Sequence, residues 1–178
     1  MGGVICFSRI EPPRYTEFVR KKAGVYLASL AVTMALGFAS DGSQPSAERL
    51  RQALRTLARA APNVHWDGKS MVAGDIACDG RLDPVYLGHS NGRIYVGFVR
   101  SANRKPEVLE FGVGPGHQAA ICQEPAKLAV ERLDYDLDGA EGFRQSRICK
   151  GLVLDDDTCD SIHFFWNHAT QHLNWWRN

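Results

Sequence analysis

Beyond residue 63 every apolar run in the chain is cut after a few residues by Gly, Pro, Asn, Asp or a charged side chain. A segment punctuated this way has no room for long helices and must build short strands joined by turns. The runs predict strands near Ser70–Gly74, Pro84–Gly88, Arg93–Val99, Glu107–Val113, Lys127–Leu133, Lys150–Leu154, Ser161–Trp166 and His172–Trp176. Asn91-Gly92, between YLG and RIYVGFV, signals a hairpin because both residues tolerate the positive φ of a two-residue turn.

One helix precedes the strands. Ser46 follows Pro45 and leads into AERLRQALRTLARAAP, where Leu50, Ala53, Leu54, Leu57, Ala58 and Ala61 form a one-sided stripe at helical period. Ser46 suits the N-cap, Glu48 the positive helix end, and Pro62 the stop. Arg49, Arg51, Arg55 and Arg59 lie off the stripe and read as a solvated face. The expected fold class is therefore α+β: one N-terminal amphipathic helix, then a mainly antiparallel β-sheet of about eight short strands, stapled by two disulfides.

The first part of the chain reads as an address. Residues Ala23–Ala39 (AGVYLASLAVTMALGFA) are nearly all small and apolar and follow Arg20-Lys21-Lys22; Gly37 and Ala39 suit a signal-peptidase site. The expectation is an export signal over 1–39, cleaved after Ala39, with retention as an N-terminal anchor as the alternative. The residues before it, with Glu11, Pro12, Pro13 and Glu17, fit neither signal nor domain, and translation is expected from Val19. Residues 40–178 then form a single β-rich domain in the periplasm or outside the cell.

Cysteine usage agrees with that compartment. Cys6 falls in the discarded segment, and Cys78, Cys122, Cys149 and Cys159 form an even set. The segment KGLVLDDDT between Cys149 and Cys159 contains a turn, so the expected bridges are Cys149–Cys159 and Cys78–Cys122. A zinc site of four thiolates lacks any C-x-x-C spacing. With 21 Lys+Arg against 20 Asp+Glu, no field exists to hold a nucleic acid. Contact with a membrane is expected only through an uncleaved signal segment.

Two acidic loops carry the candidate chemistry. In VAGDIACDGRLDPVYLGHSNGRIYVG (72–97), Asp75, Asp79 and Asp83 follow D-x-x-x-D-G-x-x-D, with Gly80 able to make a sharp turn. This stretch resembles a single repeat of the FG-GAP or VCBS type, the calcium-loop unit of integrin-like propeller blades. The resemblance implies calcium ligation by Asp75, Asp79 and Asp83, with Arg81 giving a backbone carbonyl; a hard cation gathers six to eight oxygens. Ala77 departs from the family, which offers an acid or amide there, and one repeat cannot build a propeller. The second loop, Asp134, Asp136, Asp138 and Gly139, matches the first half of an EF-hand loop, but Gln145 stands where a bidentate Glu belongs. The alternative for both loops is a solvated turn whose Asp residues bond their own backbone. The tip Asp155-Asp156-Asp157 is expected to be solvated only.

Catalytic motifs are missing: the chain contains no G-x-S-x-G, H-E-x-x-H or phosphate-binding glycine loop. Asp160 with His163, His168 and His172 is the one acid–base grouping the sequence offers. Strand alternation sets a different lead at the C-terminus. It puts Ile162, Phe164 and Trp166 on one face, and His163 and Phe165 on the other. In HLNWW, Leu173 and Trp175 oppose His172, Asn174 and Trp176. A ligand face of His163, Phe165, Asn174 and Trp176 is thus expected unless the helix or a loop covers it. The functional expectation is an exported cell-envelope domain that binds an envelope protein or glycan, with calcium stiffening the first loop. The alternative is a small envelope hydrolase using Asp160 and the C-terminal histidines.

Overall fold

The computed structural model describes residues 45–100 and 105–177, all within one compact unit. The expected export signal, its cleavage point and the Val19 start lie outside the described residues. Among the described residues, no helix is long and apolar enough to cross a membrane.

Helix α1 spans Ala47–Ala60, with the Ser46 hydroxyl accepting from Arg49 N–H at 3.3 Å and Glu48 in the first turn. It is the first described element but does not stand at the N-terminus of the chain, a correction to the expectation. Its stripe buries Ala53 and Leu57, with Leu54 half-buried beside them. A fully buried leucine such as Leu57 contributes about 2 kcal/mol.

Among the described residues nine strands follow, in two sheets rather than one. The first sheet runs in order through β1 (His65–Gly74), β2 (Asp83–Ser90), β3 (Arg93–Phe98), β4 (Glu107–Val113) and β5 (Ala120–Ile121). The second comprises β6 (Lys127–Leu133), β7 (Ser146–Asp155), β8 (Ile162–Asn167) and β9 (His172–Arg177). Every pairing is antiparallel except β4 with the two-residue β5. Asn91 (φ 50°) and Gly92 (φ 68°) make the expected turn between β2 and β3.

The sheets pack face to face. Val85, Leu87, Ile94, Val96, Phe98 and Phe111 of the first meet Leu152, Leu154, Ile162, Phe164 and Trp166 of the second in one buried cluster. Phe111 sets its ring edgewise against both Phe164 and Trp175, at 5.5 and 5.7 Å. The other face of the first sheet holds Tyr86, Trp66 and Met71 under α1. Gly97 keeps a gap there: a Cβ would stand 2.5 Å from the Trp66 ring.

The disulfides are Cys78–Cys149 and Cys122–Cys159, correcting the expected Cys149–Cys159 and Cys78–Cys122 pairs. The reason is strand length. Cys149 lies early in β7, which runs extended to Asp155, so the turn sits beside Cys159 and far from Cys149. Each bridge therefore reaches across the fold. The tip is also corrected: Asp156 is buried, accepting from the N–H groups of Gln123, Thr158 and Cys159 at 3.3, 2.8 and 2.8 Å, and from that of Cys122. Burial would raise its carboxyl, but these four donors outweigh burial and hold it below the ordinary range. Two disulfides are what an oxidising environment favours.

Candidate functional site

Residues 75–82 close the β1–β2 hairpin, where Gly74 pairs directly with Asp83. The loop is pinned from beneath. Ile76 and Ala77 are buried in the core, the Asp75 carbonyl accepts from Lys150 N–H of β7 at 3.0 Å, and Cys78 is bridged to Cys149. Inside the loop the Asp75 carboxylate accepts from the N–H groups of Asp79 (2.9 Å) and Gly80 (3.1 Å), while Asp79 Oδ1 accepts from Arg81 N–H (3.2 Å). These bonds bring one oxygen each of Asp75, Asp79 and Asp83 within 4.8 Å of one another. No other such group of acidic, His or Cys ligand atoms occurs among the described residues.

Asp83 is the unusual member. It is fully buried, its Oδ2 accepts from Ala77 N–H at 3.1 Å, and its Oδ1 has no hydrogen-bond partner. Burial pushes its carboxyl from 3.8 up to about 7. The Ala77 N–H opposes this, the Asp79 charge adds to it, and Arg49 and Asp75 contribute lesser effects of opposite sign. A buried carboxylate oxygen without a partner is costly unless a cation or donor meets it. Ala77, the departure from the family pattern, donates through its backbone where a side-chain acid would have accepted a cation. Arg100, unnoticed in the sequence, donates from Nε to Asp79 Oδ2 at 3.3 Å, so part of the loop's charge is met by the protein itself.

The second acidic loop is built differently. Asp134, Asp136 and Asp138 are all exposed, and their side chains do not form a ligand group. Gln145, at the twelfth position, closes the loop by donating to the Asp134 carbonyl at 2.7 Å. Asn167, buried at the end of β8, donates to the Glu141 carbonyl at 2.9 Å, and His168 N–H donates to the Gly142 carbonyl at 2.9 Å.

That loop lies over the expected ligand face. His163 pairs across the ladder with Trp176 and Phe165 with Asn174, so the four residues do share one face. The face is not open, however. Phe143 sets its ring against buried Phe165 at 5.3 Å, and Tyr135 stacks on Phe143 at 5.7 Å and meets Trp176 at 5.9 Å. The His163 ring stacks on Trp176 at 4.5 Å while its Nδ1 contacts Glu131 Oε2 at 2.9 Å. The Tyr135 hydroxyl donates to the other Glu131 oxygen at 3.1 Å; burial, then the Glu131 charge, push that phenol up to about 12. Glu131 thus holds loop and sheet together. Its outward position on β6 was readable from alternation, but its partners, 4 and 32 residues away, were not.

The acid–base grouping does not assemble. His163 engages Glu131, His172 Nδ1 faces Glu107 Oε1 at 3.5 Å, and no hydrogen bond links any of the three histidines to Asp160. His168 is half-buried, and burial, then the Arg144 charge, lower its pKa.

Comparison with known proteins finds no family model, no curated protein and no solved structure that matches the chain. Function must be argued from the site alone.

Proposed function

We propose that residues 40–178 form an exported cell-envelope binding domain whose 75–83 loop takes up calcium. The reading rests on one observation: a fully buried carboxylate with an unpartnered oxygen stands in a cluster of three convergent acids. A cation there would meet the Asp83 oxygen that no N–H reaches, and Asp75 and Asp79 would add two more carboxylates. Backbone carbonyls, Arg81 among them, and water would complete the six to eight oxygens. The Cys78–Cys149 bridge ties this loop to β7, so a filled site would stiffen the junction of the two sheets. The apposed loop 134–145 leaves little of the aromatic face for an envelope glycan or protein.

The test is calorimetric titration of calcium into the oxidised, chelator-stripped protein, with Asp79→Ala alongside. Binding on the order of 10⁻⁴ to 10⁻³ M, the range of extracellular modules, that disappears in the variant supports the reading. Heat indistinguishable from buffer overturns it.

A further inference from the structure

Every oxygen of the three clustered carboxylates has a donor except Asp83 Oδ1. The donors are of two kinds. Backbone N–H groups of the loop itself hold both Asp75 oxygens, Asp79 Oδ1 and Asp83 Oδ2. Asp79 Oδ2 is instead held by a side chain from outside the loop, the Nε of Arg100 at 3.3 Å. Arg100 follows the end of β3, and its guanidinium lies 4.9 Å over the Trp166 ring of β8. The second sheet therefore positions this charge, and the loop only receives it.

Electrostatics gives the contact its meaning. Three carboxylates with oxygens within 4.8 Å of one another repel as they ionise. N–H dipoles offset part of that repulsion, and a full positive charge offsets more. The side chains of Arg100 and Asp79 are only 17% and 31% exposed, so water screens the pair less than an open surface pair. A divalent cation that reaches Asp83 Oδ1 and draws in Asp79 meets the same guanidinium. At ~5 Å their repulsion, even in water, lowers cation affinity on the order of tenfold.

We propose, on the calcium reading above, that Arg100 is the resident counter-ion of the 75–83 loop: it holds Asp79 until calcium displaces it, and so sets how tightly the loop binds. The displaced guanidinium keeps its seat on Trp166. The exchange is thus local, with Asp79 turning from Arg100 toward Asp75 and Asp83. By linkage, calcium weakens the Arg100–Asp79 bond by the same factor as that bond weakens calcium binding. A purely structural Arg100 predicts the opposite sign. If the pair only held Asp79 in place, its loss would loosen the cluster and weaken calcium binding.

The test titrates calcium chloride into the oxidised, chelator-stripped full chain by calorimetry, for wild type, Arg100→Gln and Arg49→Gln. The Arg49 charge also acts on Asp83, but among the described residues its side chain donates to none of the three carboxylates. Arg100→Gln is expected to bind calcium about tenfold more tightly than wild type. Arg49→Gln, acting only at a distance, should gain no more than about threefold. Unchanged or weaker affinity in Arg100→Gln, with wild type binding, overturns the proposal and leaves the calcium reading standing. Equal gains in the two variants also overturn it, because general charge rather than the contact would be responsible. Binding in Arg100→Gln alone supports it, as a loop that Arg100 holds shut. No binding in any folded protein removes the calcium reading and the counter-ion with it. If Arg100→Gln fails to fold, NMR of wild type decides. Saturating calcium should speed solvent exchange of the Arg100 Nε–H by about tenfold, and an unchanged rate overturns the proposal.

Discussion

The two acidic loops look alike as strings of aspartates and behave as opposites in the fold. In 75–83 the loop is fastened from below, by buried Ile76 and Ala77 and the Cys78–Cys149 bridge, and its carboxylates converge with one buried oxygen left unpartnered. In 134–145 the three aspartates stay in water, and the loop is fastened by other groups: the Gln145 amide, the Asn167 amide, the Tyr135 hydroxyl on Glu131 and two aromatic rings. Acid spacing is common to both. What separates them is whether the protein supplies its own partners, because a loop whose bonds are complete has no residual attraction for a cation.

The sharpest way to break this comparison is to damage the self-contained loop. Gly142 sits at φ 76°, and a Cβ there would stand 2.0 Å from Asn167 Oδ1. That oxygen cannot swing away freely, since it accepts from the N–H groups of Ala169 and Thr170 at 2.9 Å each. Gly142→Ala combines left-handed strain with loss of the Asn167 bonds, about 3 kcal/mol in all. Chemical denaturation should show that loss, with calcium binding at 75–83 unchanged in the folded fraction. A loss below about 1 kcal/mol would mean that the loop is not clamped as described.

The next effect sharpens the other side of the comparison. Below its ordinary 3.8 the Asp83 carboxyl is neutral in folded and unfolded chains alike. As the pH rises toward about 7 the unfolded chain ionises it while the folded, calcium-free protein resists. The stability linked to neutral Asp83 is therefore full at low pH and is lost as the pH rises through that window. Asp83→Asn keeps an acceptor for Ala77 N–H but cannot ionise. Against wild type in chelator, the variant should gain about 4 kcal/mol between pH 4 and pH 8, measured by denaturant midpoints at each pH. Saturating calcium should reverse the trend in wild type alone. Parallel pH profiles without calcium would show that Asp83 ionises freely.

How much of this was legible follows from the range of each interaction. The helix was readable because its cap, stripe and stop lie within one short segment, and the strands because alternation is local. Strand β1 begins at His65, earlier than expected, because Asp67-Gly68-Lys69 looks like a turn. The register shifts between Asp67 and Val72 there, and the Ser70 hydroxyl accepts from Leu87 N–H at 2.8 Å. The disulfide pairing and the division into two sheets depend on which strands face each other across the core, which no local pattern encodes. The Asp75–Asp79–Asp83 convergence was legible from spacing, but the burial of Asp83 and the reach of Arg100 from 21 residues away were not. The aromatic face was read correctly as a face. The cover by a loop, named as the alternative, is present, but that Phe143 and Tyr135 supply it was not legible, because they belong to a loop whose sequence advertises only its acids.

The smallest expected effect isolates backbone strain from crowding. Gly80 in the first loop has φ 78°, nearly the angle of Gly142, but a Cβ there meets nothing within 4 Å. Gly80→Ala should therefore cost only the left-handed penalty, about 1 kcal/mol, roughly a third of the Gly142→Ala loss. The Gly80 N–H would still donate to Asp75, so the acidic cluster should persist and calcium affinity should fall by no more than about threefold, an effect of under 1 kcal/mol. Equal losses for the two glycine variants would show that strain alone governs both loops, and that the packing of the second against Asn167 contributes nothing. A loss of calcium binding in Gly80→Ala with stability intact would instead make the turn itself the determinant of the site, since the three carboxylates would then be present but no longer held within reach of one cation.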